Sequence, residues 1–196
     1  MAVGEDRASR ERGGRSDTET QPLCLRFTKT LTLRDSAEPR EFLLRPSDLA
    51  EWFVAAGLGG QPPRVDEELL REARELRESI YRAARAVADA REMAPADRDR
   101  VNEWAGRGDA FRVLDGAGVS WRFPRASAAR SALAVLAQDA VDTLGGVRVG
   151  TVKVCAGTGC VAVFLDATRG GFRRWCSMAT CGNRAKKDAM RVRGAR

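Results

Sequence analysis

Histidine is absent from the 196 residues of this chain, tyrosine occurs once, and aromatic residues make up only 6% of the sequence. Without imidazole the chain can form neither a Cys2His2 zinc finger nor a catalytic site that uses histidine. No nucleophile–base pair, P-loop or dinucleotide-binding fingerprint is present. Gly157-x-Gly159 is not a phosphate-binding loop, because it lies between two closely spaced cysteines. The sequence therefore predicts a protein that is not an enzyme.

Long hydrophobic runs are also missing. Residues 1–20 mix Arg and Glu with small polar residues and lack the apolar centre of a secretion signal. No stretch approaches the ~20 apolar residues that a membrane-spanning helix needs. We therefore expect a cytoplasmic protein without a membrane partner, whose residues 1–20 form a disordered tail.

Four of the five cysteines form two close pairs, Cys155-x4-Cys160 and Cys176-x4-Cys181, separated by fifteen residues. Buried apolar cysteines, two disulfides or an iron–sulfur cluster are alternatives, but cytosolic thiols stay reduced and the spacing differs from that of iron–sulfur proteins. The pattern favours one structural Zn2+ held by all four thiolates, with no open position for water. The fifth cysteine, Cys24, lies between two leucines and is predicted to be buried.

The positive charge is concentrated in the same region. The chain carries a formal net charge of +7, yet the residues from Arg148 onward hold eleven Lys/Arg and only two Asp. The first 147 residues hold twenty-three basic and twenty-five acidic groups. Such asymmetry predicts that the C-terminal segment has a polyanionic partner.

Before this segment, the pattern of apolar residues predicts mainly helices. Asp66 can cap a long helix with Leu69, Ala73, Leu76 and Ile80 on one face. Shorter helices are predicted after Ser47, from Pro95 and after Ser127, and a hairpin from Phe111 to Phe123. The alternation of Leu23, Leu25 and Phe27 with Leu31 and Leu33 predicts a strand or extended segment. Gly145-Gly146 is the predicted domain boundary.

The C-terminal segment reads as a small metal-binding domain. Val161, Val163 and Leu165 alternate, residues 168–171 turn the chain, and residues 172–175 are predicted to return as a second strand. Ser177 can cap a basic helix after it. The predicted fold is thus mainly α with small β-hairpin elements: a helix-rich domain at residues 21–146, followed by a treble-clef-like zinc finger at residues 147–196.

Residues 173–186, which read RRWCSMATCGNRAK, resemble the signature of the CGNR zinc finger. The upstream Val154-Cys155-x4-Cys160 and Phe164-Leu165-Asp166 fit the same family. The larger N-terminal part resembles the helix-rich ABATE domain through Leu23-Cys24-Leu25-x-Phe27, Asp48-Leu49-x-x-Trp52, Leu70-Arg71-x-x-Arg74-x-Leu76-Arg77 and Ala140-Val141-Asp142. Together the two resemblances cover roughly residues 21–193.

The resemblance implies a bacterial transcription regulator induced by stress, nucleoid-associated when bound to DNA. Three departures from the family pattern stand out. Arg26 and Lys29 occupy positions where relatives usually have Asp and Asn, and Val161 replaces an aromatic residue after the second cysteine. A role that those polar residues have in relatives is therefore not carried over to this chain.

The basic C-terminal helix supplies most of the candidate nucleic-acid-binding residues. Arg184, Lys187 and Arg191 are spaced to share one face, and Ala185, Ala189 and Val192 form a small apolar side that can pack on the hairpin. Asn183 and Arg184 lie in the first turn after the metal and can read base edges, Asn at adenine and Arg at guanine. Alternatively, Asn183 can brace the zinc loop, and Arg184 can donate to the thiolates or to a carbonyl. The full candidate set is Arg173, Arg174, Asn183, Arg184, Lys186, Lys187, Arg191 and Arg193.

These features favour a zinc-dependent DNA-binding transcription regulator, with duplex DNA as the partner. Its helical domain would sense an unknown small-molecule signal or form a homodimer. An RNA-binding or ribosome-associated factor, a zinc–thiolate redox sensor and a protein-interaction module remain alternatives.

Overall fold

Six α-helices and three two-stranded antiparallel sheets make up the part of the chain that this computed structural model describes, residues 20–116 and 118–194, with side chains to Arg191. The helices are α1 (Leu23–Thr28), α2 (Pro46–Ala55), α3 (Glu67–Ala88), α4 (Pro95–Ala105), α5 (Ala128–Leu144) and α6 (Asn183–Gly194). The strands are β1 (Leu31–Thr32), β2 (Arg40–Glu41), β3 (Phe111–Asp115), β4 (Gly118–Arg122), β5 (Thr151–Val154) and β6 (Val163–Asp166). The predicted fold class, mainly α with small hairpins, is confirmed.

Helix α3 is the central element of the core. The side chain of Asp66 accepts a hydrogen bond from the backbone N–H of Leu69 at 2.8 Å, as the sequence predicted for the start of this helix. The apolar stripe of α3 is buried against α1, α4 and α5, because its three- and four-residue spacing keeps one face toward the core. Most of its charged residues lie on the other side, where Arg71 and Glu75 form an i,i+4 ion pair at 2.8 Å. Arg77 is an exception, since it is buried and donates to both carboxylate oxygens of Glu41 at 2.7 Å.

Two predicted caps differ in detail. Helix α2 begins at Pro46 and not after Ser47, since proline tolerates the first helical position, where its missing N–H costs nothing. The Asp48 carboxylate accepts from the N–H groups of Leu44 and Arg45, both at 2.8 Å. Ser127 does precede α5, but its hydroxyl donates to Asp109 at 2.9 Å and makes no cap bond to the helix.

The strand predicted around Leu23–Phe27 is wrong, because these residues form helix α1. Cys24, Leu25 and Phe27 are all completely buried, so this short helix has almost no exposed face and its apolar pattern carries no helical period. The Asp139 carboxylate accepts the N–H of Cys24 at 2.9 Å and thereby satisfies a donor at the start of α1. Burial raises the pKa of the Cys24 thiol well above its usual value, which matches a packing role.

The hairpin β5–β6 joins the metal-binding segment to the helical core. In its register, Val152 lies opposite Leu165 and Val154 opposite Val163. Val152, Val163 and Leu165 belong to the same apolar cluster as α1, α3 and α5. Because alternate residues of a strand point to opposite faces, this hairpin can contribute one face to the helical core and keep the other for the metal-binding segment.

Polar contacts fasten the same hairpin. The side-chain amide of Gln21 donates to the carbonyl of Leu165 at 3.1 Å and accepts the N–H of Leu165 at 2.7 Å. The hydroxyl of Tyr81 on α3 donates to the carbonyl of Val161 at 3.0 Å. Packing is therefore continuous across the predicted boundary at Gly145-Gly146, and the division into residues 21–146 and 147–196 stays a prediction.

None of the helices within residues 20–116 and 118–194 is both long enough and apolar enough to cross a membrane. The predicted tail at residues 1–20 lies outside the described residues, apart from Thr20.

We predict that Val163→Ala lowers the stability of the helical part as well as of the metal-binding segment. Val163 is fully buried, so loss of two methyl groups and the cavity left behind should cost roughly 1.5–3 kcal/mol. Urea unfolding followed by helical circular dichroism measures this. The matched control is Val149→Ala, which removes the same atoms from a side chain that is 89% exposed and should change stability by less than about 0.5 kcal/mol. An unchanged helical transition in Val163→Ala would contradict the shared core.

Candidate metal centre

The four predicted ligands come together in the structure. The Sγ atoms of Cys155, Cys160, Cys176 and Cys181 all lie within 4.8 Å of one another. The Sγ atom of Cys176 is 3.9 Å from that of Cys160 and 3.8 Å from that of Cys181. Zn–S bonds of about 2.3 Å in a tetrahedron separate sulfur atoms by about 3.8 Å. The cluster therefore fits one zinc ion with four thiolate ligands.

Each cysteine pair lies in a tight turn. Cys155 follows β5 and Cys160 lies in the loop to β6, so the first pair is carried at the tip of the core hairpin. Cys176 ends an irregular segment, and Cys181 lies in a π-helical turn, Met178–Gly182, that runs into α6. The Ser177 side chain accepts the N–H of Thr180 at 3.3 Å. Ser177 was predicted to cap the basic helix, and it caps the π-helical turn that runs into that helix.

The predicted hairpin of 161–165 with 172–175 is wrong, because β6 pairs with β5 and not with the returning segment. Residues 172–176 form no strand and reach the first cysteine pair through single contacts. The N–H of Ala156 donates to the carbonyl of Arg174 at 2.9 Å. The N–H of Cys176 donates to the sulfur of Cys155 at 3.3 Å, and that of Gly157 donates to the same sulfur at 3.4 Å. Such N–H donors stabilise a thiolate.

Without a cation, hydrogen bonding and burial let the cysteines of the cluster ionise unequally. A hydrogen bond from Cys176 lowers the pKa of Cys160 to about 5. Burial, followed by the charge on Cys160, raises the pKa of Cys181 to about 11. The pKa of Cys176 is raised still more, because its protonated thiol donates a hydrogen bond to the Cys160 thiolate. One thiolate thus forms at the expense of its neighbours. A divalent cation removes this competition and allows all four to ionise.

Asp166 binds the segment that leads to Cys176, and it was not predicted from the sequence to be a site residue. Its carboxylate accepts from the N–H of Thr168 at 3.0 Å, from the N–H of Arg173 at 2.9 Å and from Lys153 Nζ at 2.7 Å. Burial alone would raise the pKa of Asp166, but the hydrogen bond from Lys153 and those from Thr168 and Arg173 hold it well below its usual value. The side chain is therefore a buried anion that anchors the path to Cys176. The one indication of its importance in the sequence was that Phe164-Leu165-Asp166 fits the zinc finger family.

Lys29 is the second residue that sequence reasoning did not place at the site. It follows α1 in the helical part, yet it is half-buried beside the cysteine cluster. Burial lowers the pKa of Lys29, while the charge of Cys176 acts in the opposite direction. Lys29 stands where relatives usually have Asn, so the sequence marked the position as unusual. Nothing in the sequence indicated that Lys29 lies beside the cysteine cluster.

The basic side chains of α6 are exposed. Arg184, Lys186, Lys187 and Arg191 all lie on the surface, and Arg191 Nη1 is 3.9 Å from Asp188 Oδ1. The predicted packing of Ala185 and Ala189 on the hairpin is wrong for Ala189, which is exposed, while Ala185 is half-buried. The hairpin is not available to α6 because the helical core and the cysteine cluster occupy it. Val192 and Arg193 lie beyond the described side chains.

Two of the predicted nucleic-acid-binding residues make contacts within the protein. Asn183 Nδ2 donates to the carbonyl of Ala179 at 3.1 Å, across the turn that holds Cys181. The guanidinium of Arg173 donates to the carbonyls of Trp175 at 3.0 Å and Cys176 at 2.8 Å. Arg174, in contrast, is exposed and lies over the Trp175 ring, 5.3 Å from its centroid. These contacts place Asn183 and Arg173 as braces around the second cysteine pair.

We predict that Cys181→Ser abolishes stoichiometric zinc binding, because a structural site with three thiolates and a poor fourth ligand loses most of its affinity. Zinc per chain is measured by mass spectrometry after dialysis against a weak chelator. The matched control, Cys24→Ala, removes a buried cysteine outside the cluster and should keep one zinc ion per chain. A Cys181→Ser protein that retains a full equivalent of zinc would refute the ligand set.

Two family models match consecutive parts of the chain. Residues 21–147 match the ABATE model, described as "Putative stress-induced transcription regulator". Residues 151–194 match the CGNR zinc finger model and contain all four clustered cysteines.

A search of curated proteins found no significant match. The ABATE model covers more than half of the chain and the finger model begins four residues after it ends. The chain therefore belongs to the ABATE family and carries, after that domain, a CGNR zinc finger whose four cysteines can hold one zinc ion.

Proposed function

We propose that this protein is a zinc-dependent transcription regulator that binds duplex DNA through α6, and that it is not an enzyme. The observation that carries the proposal is the position of α6. This helix begins two residues after the metal ligand Cys181, and it presents basic side chains to solvent along its described length. A solvent-exposed helix rich in Arg and Lys is a common DNA-binding element.

The metal centre would fix the direction of this helix. Cys181 lies inside the π-helical turn that precedes α6, and Gly182, the next residue, is buried. A Cβ atom on Gly182 would come within 3.0 Å of the Met178 side chain, so the turn is closely packed. With zinc bound, the start of α6 is tied to the hairpin and through it to the helical core. Without zinc, only the contacts of the turn itself hold it.

The dimensions and charges of α6 suit a major groove. A helix of 12 residues is about 18 Å long, and the groove is about 12 Å wide and admits one helix. Arg184, Lys187 and Arg191 are spaced three and four residues apart on one face. Arg184, near the metal, is the candidate for base contacts, whereas Lys186, Lys187, Arg191 and Arg193 would contact phosphates. Arg174 would extend the phosphate contacts toward the second cysteine pair.

In this proposal Asn183 and Arg173 do not contact DNA but support α6, since their polar groups are bonded to backbone carbonyls around the metal centre.

The helical part would sense a signal or form a homodimer. A single short helix reads few base pairs, and a second copy would supply the missing specificity. Such a regulator would work in the bacterial cytoplasm, on the nucleoid.

Selection from a random duplex DNA library by the zinc-loaded full chain, in parallel with an RNA pool, tests the function. We expect enrichment of one duplex motif, whose symmetry would report dimerisation. Salt-sensitive binding without enrichment would show a non-specific DNA-binding protein. Preference for RNA, or no binding to either pool, would overturn the proposal in favour of an RNA-binding or protein-binding role.

A double substitution tests the role of α6. Lys187→Ala with Arg191→Ala should weaken binding to all duplexes about equally and reduce the slope of log K against log salt by about 2, because two phosphate contacts are lost. The control is Arg71→Ala with Arg98→Ala, which removes two exposed arginines from α3 and α4 and should leave the slope unchanged. Equal slopes for the first variant and the unmodified protein would show that this face does not contact phosphates.

A further inference from the structure

A cavity of about 270 Å³ lies between the helical part and the zinc finger. The segment after α1 and Tyr81 of α3 form one side of it. Val161, the ligands Cys160 and Cys181, and Arg184 of α6 form the other. The cavity is therefore bounded by the two parts of the chain that a regulator must connect, the helical domain and the helix proposed to bind DNA.

Apolar groups form most of the wall, and its described residues include three cations and no carboxylate. Leu31, Val161 and the Tyr81 ring supply apolar surface. Among the cations, Arg34 already has partners, since its guanidinium pairs with Glu78 at 3.0 Å and lies 4.1 Å from the centroid of the Tyr81 ring.

The other two cations, Lys29 and Arg184, have side-chain donors that no described residue accepts from. Neither Lys29 nor Arg184 makes a side-chain hydrogen bond or ion pair with any residue that the structure describes. Lys29 is half-buried, and it donates to none of the four cysteine sulfurs. The cysteines Cys160, Cys176 and Cys181 also line the cavity, so the thiolates attract Lys29 through space but do not accept a hydrogen bond from it. A half-buried ammonium group whose hydrogen-bond donors are unused can still bind an anion that accepts from it.

We propose that this cavity binds a small carboxylate with an apolar body, and that the ligand is the signal of the regulator. The carboxylate pairs with Lys29 and Arg184, and the apolar body lies against Leu31, Tyr81 and Val161. The volume admits roughly ten to fifteen non-hydrogen atoms. The adjacent zinc centre with four thiolates is itself dianionic, which disfavours phosphate dianions and restricts the ligand to a single negative charge.

The regulatory part of this proposal rests on the proposed function, because Arg184 belongs to the first turn of α6. A ligand held by Lys29 and Arg184 at once would join the helical domain to that turn and bias its orientation. The binding site itself does not depend on DNA, so its test is made without DNA and its failure is separate from failure of the library selection.

Phenylacetate is a suitable probe, since it has ten non-hydrogen atoms and a neutral counterpart of the same size, phenylacetamide. Each is titrated to about 20 mM into the zinc-loaded, 15N-labelled full chain, and backbone amide shifts are followed. We expect saturable shifts at Lys29, Cys160 and Thr180, which lie around the cavity, with at least tenfold tighter binding of phenylacetate than of phenylacetamide.

Lys29→Gln should weaken phenylacetate binding at least tenfold, whereas the control Arg71→Gln, an exposed cation of α3, should leave it unchanged. Zinc content is measured in each variant. If Lys29→Gln fails to retain zinc, Arg184→Gln takes its place, because that side chain is exposed and its loss should not disturb the fold. Absence of saturable shifts, shifts elsewhere, or equal affinity in the variants would overturn the proposal and leave Lys29 as a counter-ion of the zinc centre.

Discussion

The rest of this structure depends on the packing of one four-residue strand, β6, between two clusters. Val163 and Leu165 lie in the apolar core of the helices, while Phe164 packs with the cysteines and Asp166 anchors the path to the second cysteine pair. All four residues are buried. Because successive side chains of a strand point to opposite faces, this arrangement lets a very short segment fix the metal centre relative to α3.

The distribution of charge runs from the buried metal centre to the exposed helix α6. The four thiolates and one zinc ion carry two negative charges, and the cations Lys29 and Arg173 lie near them from opposite parts of the chain. Asp166 compensates Lys153 inside the finger. Much of the remaining positive charge lies on the exposed Arg and Lys side chains of α6. These side chains face solvent, as a polyanion-binding surface requires.

The sequence predicts those features that depend on local chemistry. The spacing of Cys155, Cys160, Cys176 and Cys181 identified the cluster, and Asp66 identified the start of α3, because ligand spacing and helix caps act over a few residues. The partner of β6 was not predictable in this way. Val161, Val163 and Leu165 alternate equally well beside either neighbouring segment, and only the buried contacts with α1 and α3 favour β5.

The same limit explains α1 and Lys29. A six-residue helix buried on nearly all sides has no polar face, so its period cannot be read. Lys29 lies 131 positions before Cys160 in the sequence, and no local pattern reports a contact over such a separation. The placement of Asn183 could be anticipated only as one of two roles, since an exposed amide at a helix start can bond to the backbone or to a ligand with similar geometry.

The shared strand also limits how this finger can be exchanged between proteins. A fragment cut at the glycines that follow α5 would carry Val152, Val163 and Leu165 with no helices to cover them, and the helices would lose part of their own interior. Transplanting the metal-binding segment onto another scaffold would therefore require a recipient with a matching apolar cleft. Recombination that respects this packing must move the hairpin together with the helices that enclose it, or else cross over after β6, between the strand and the second cysteine pair.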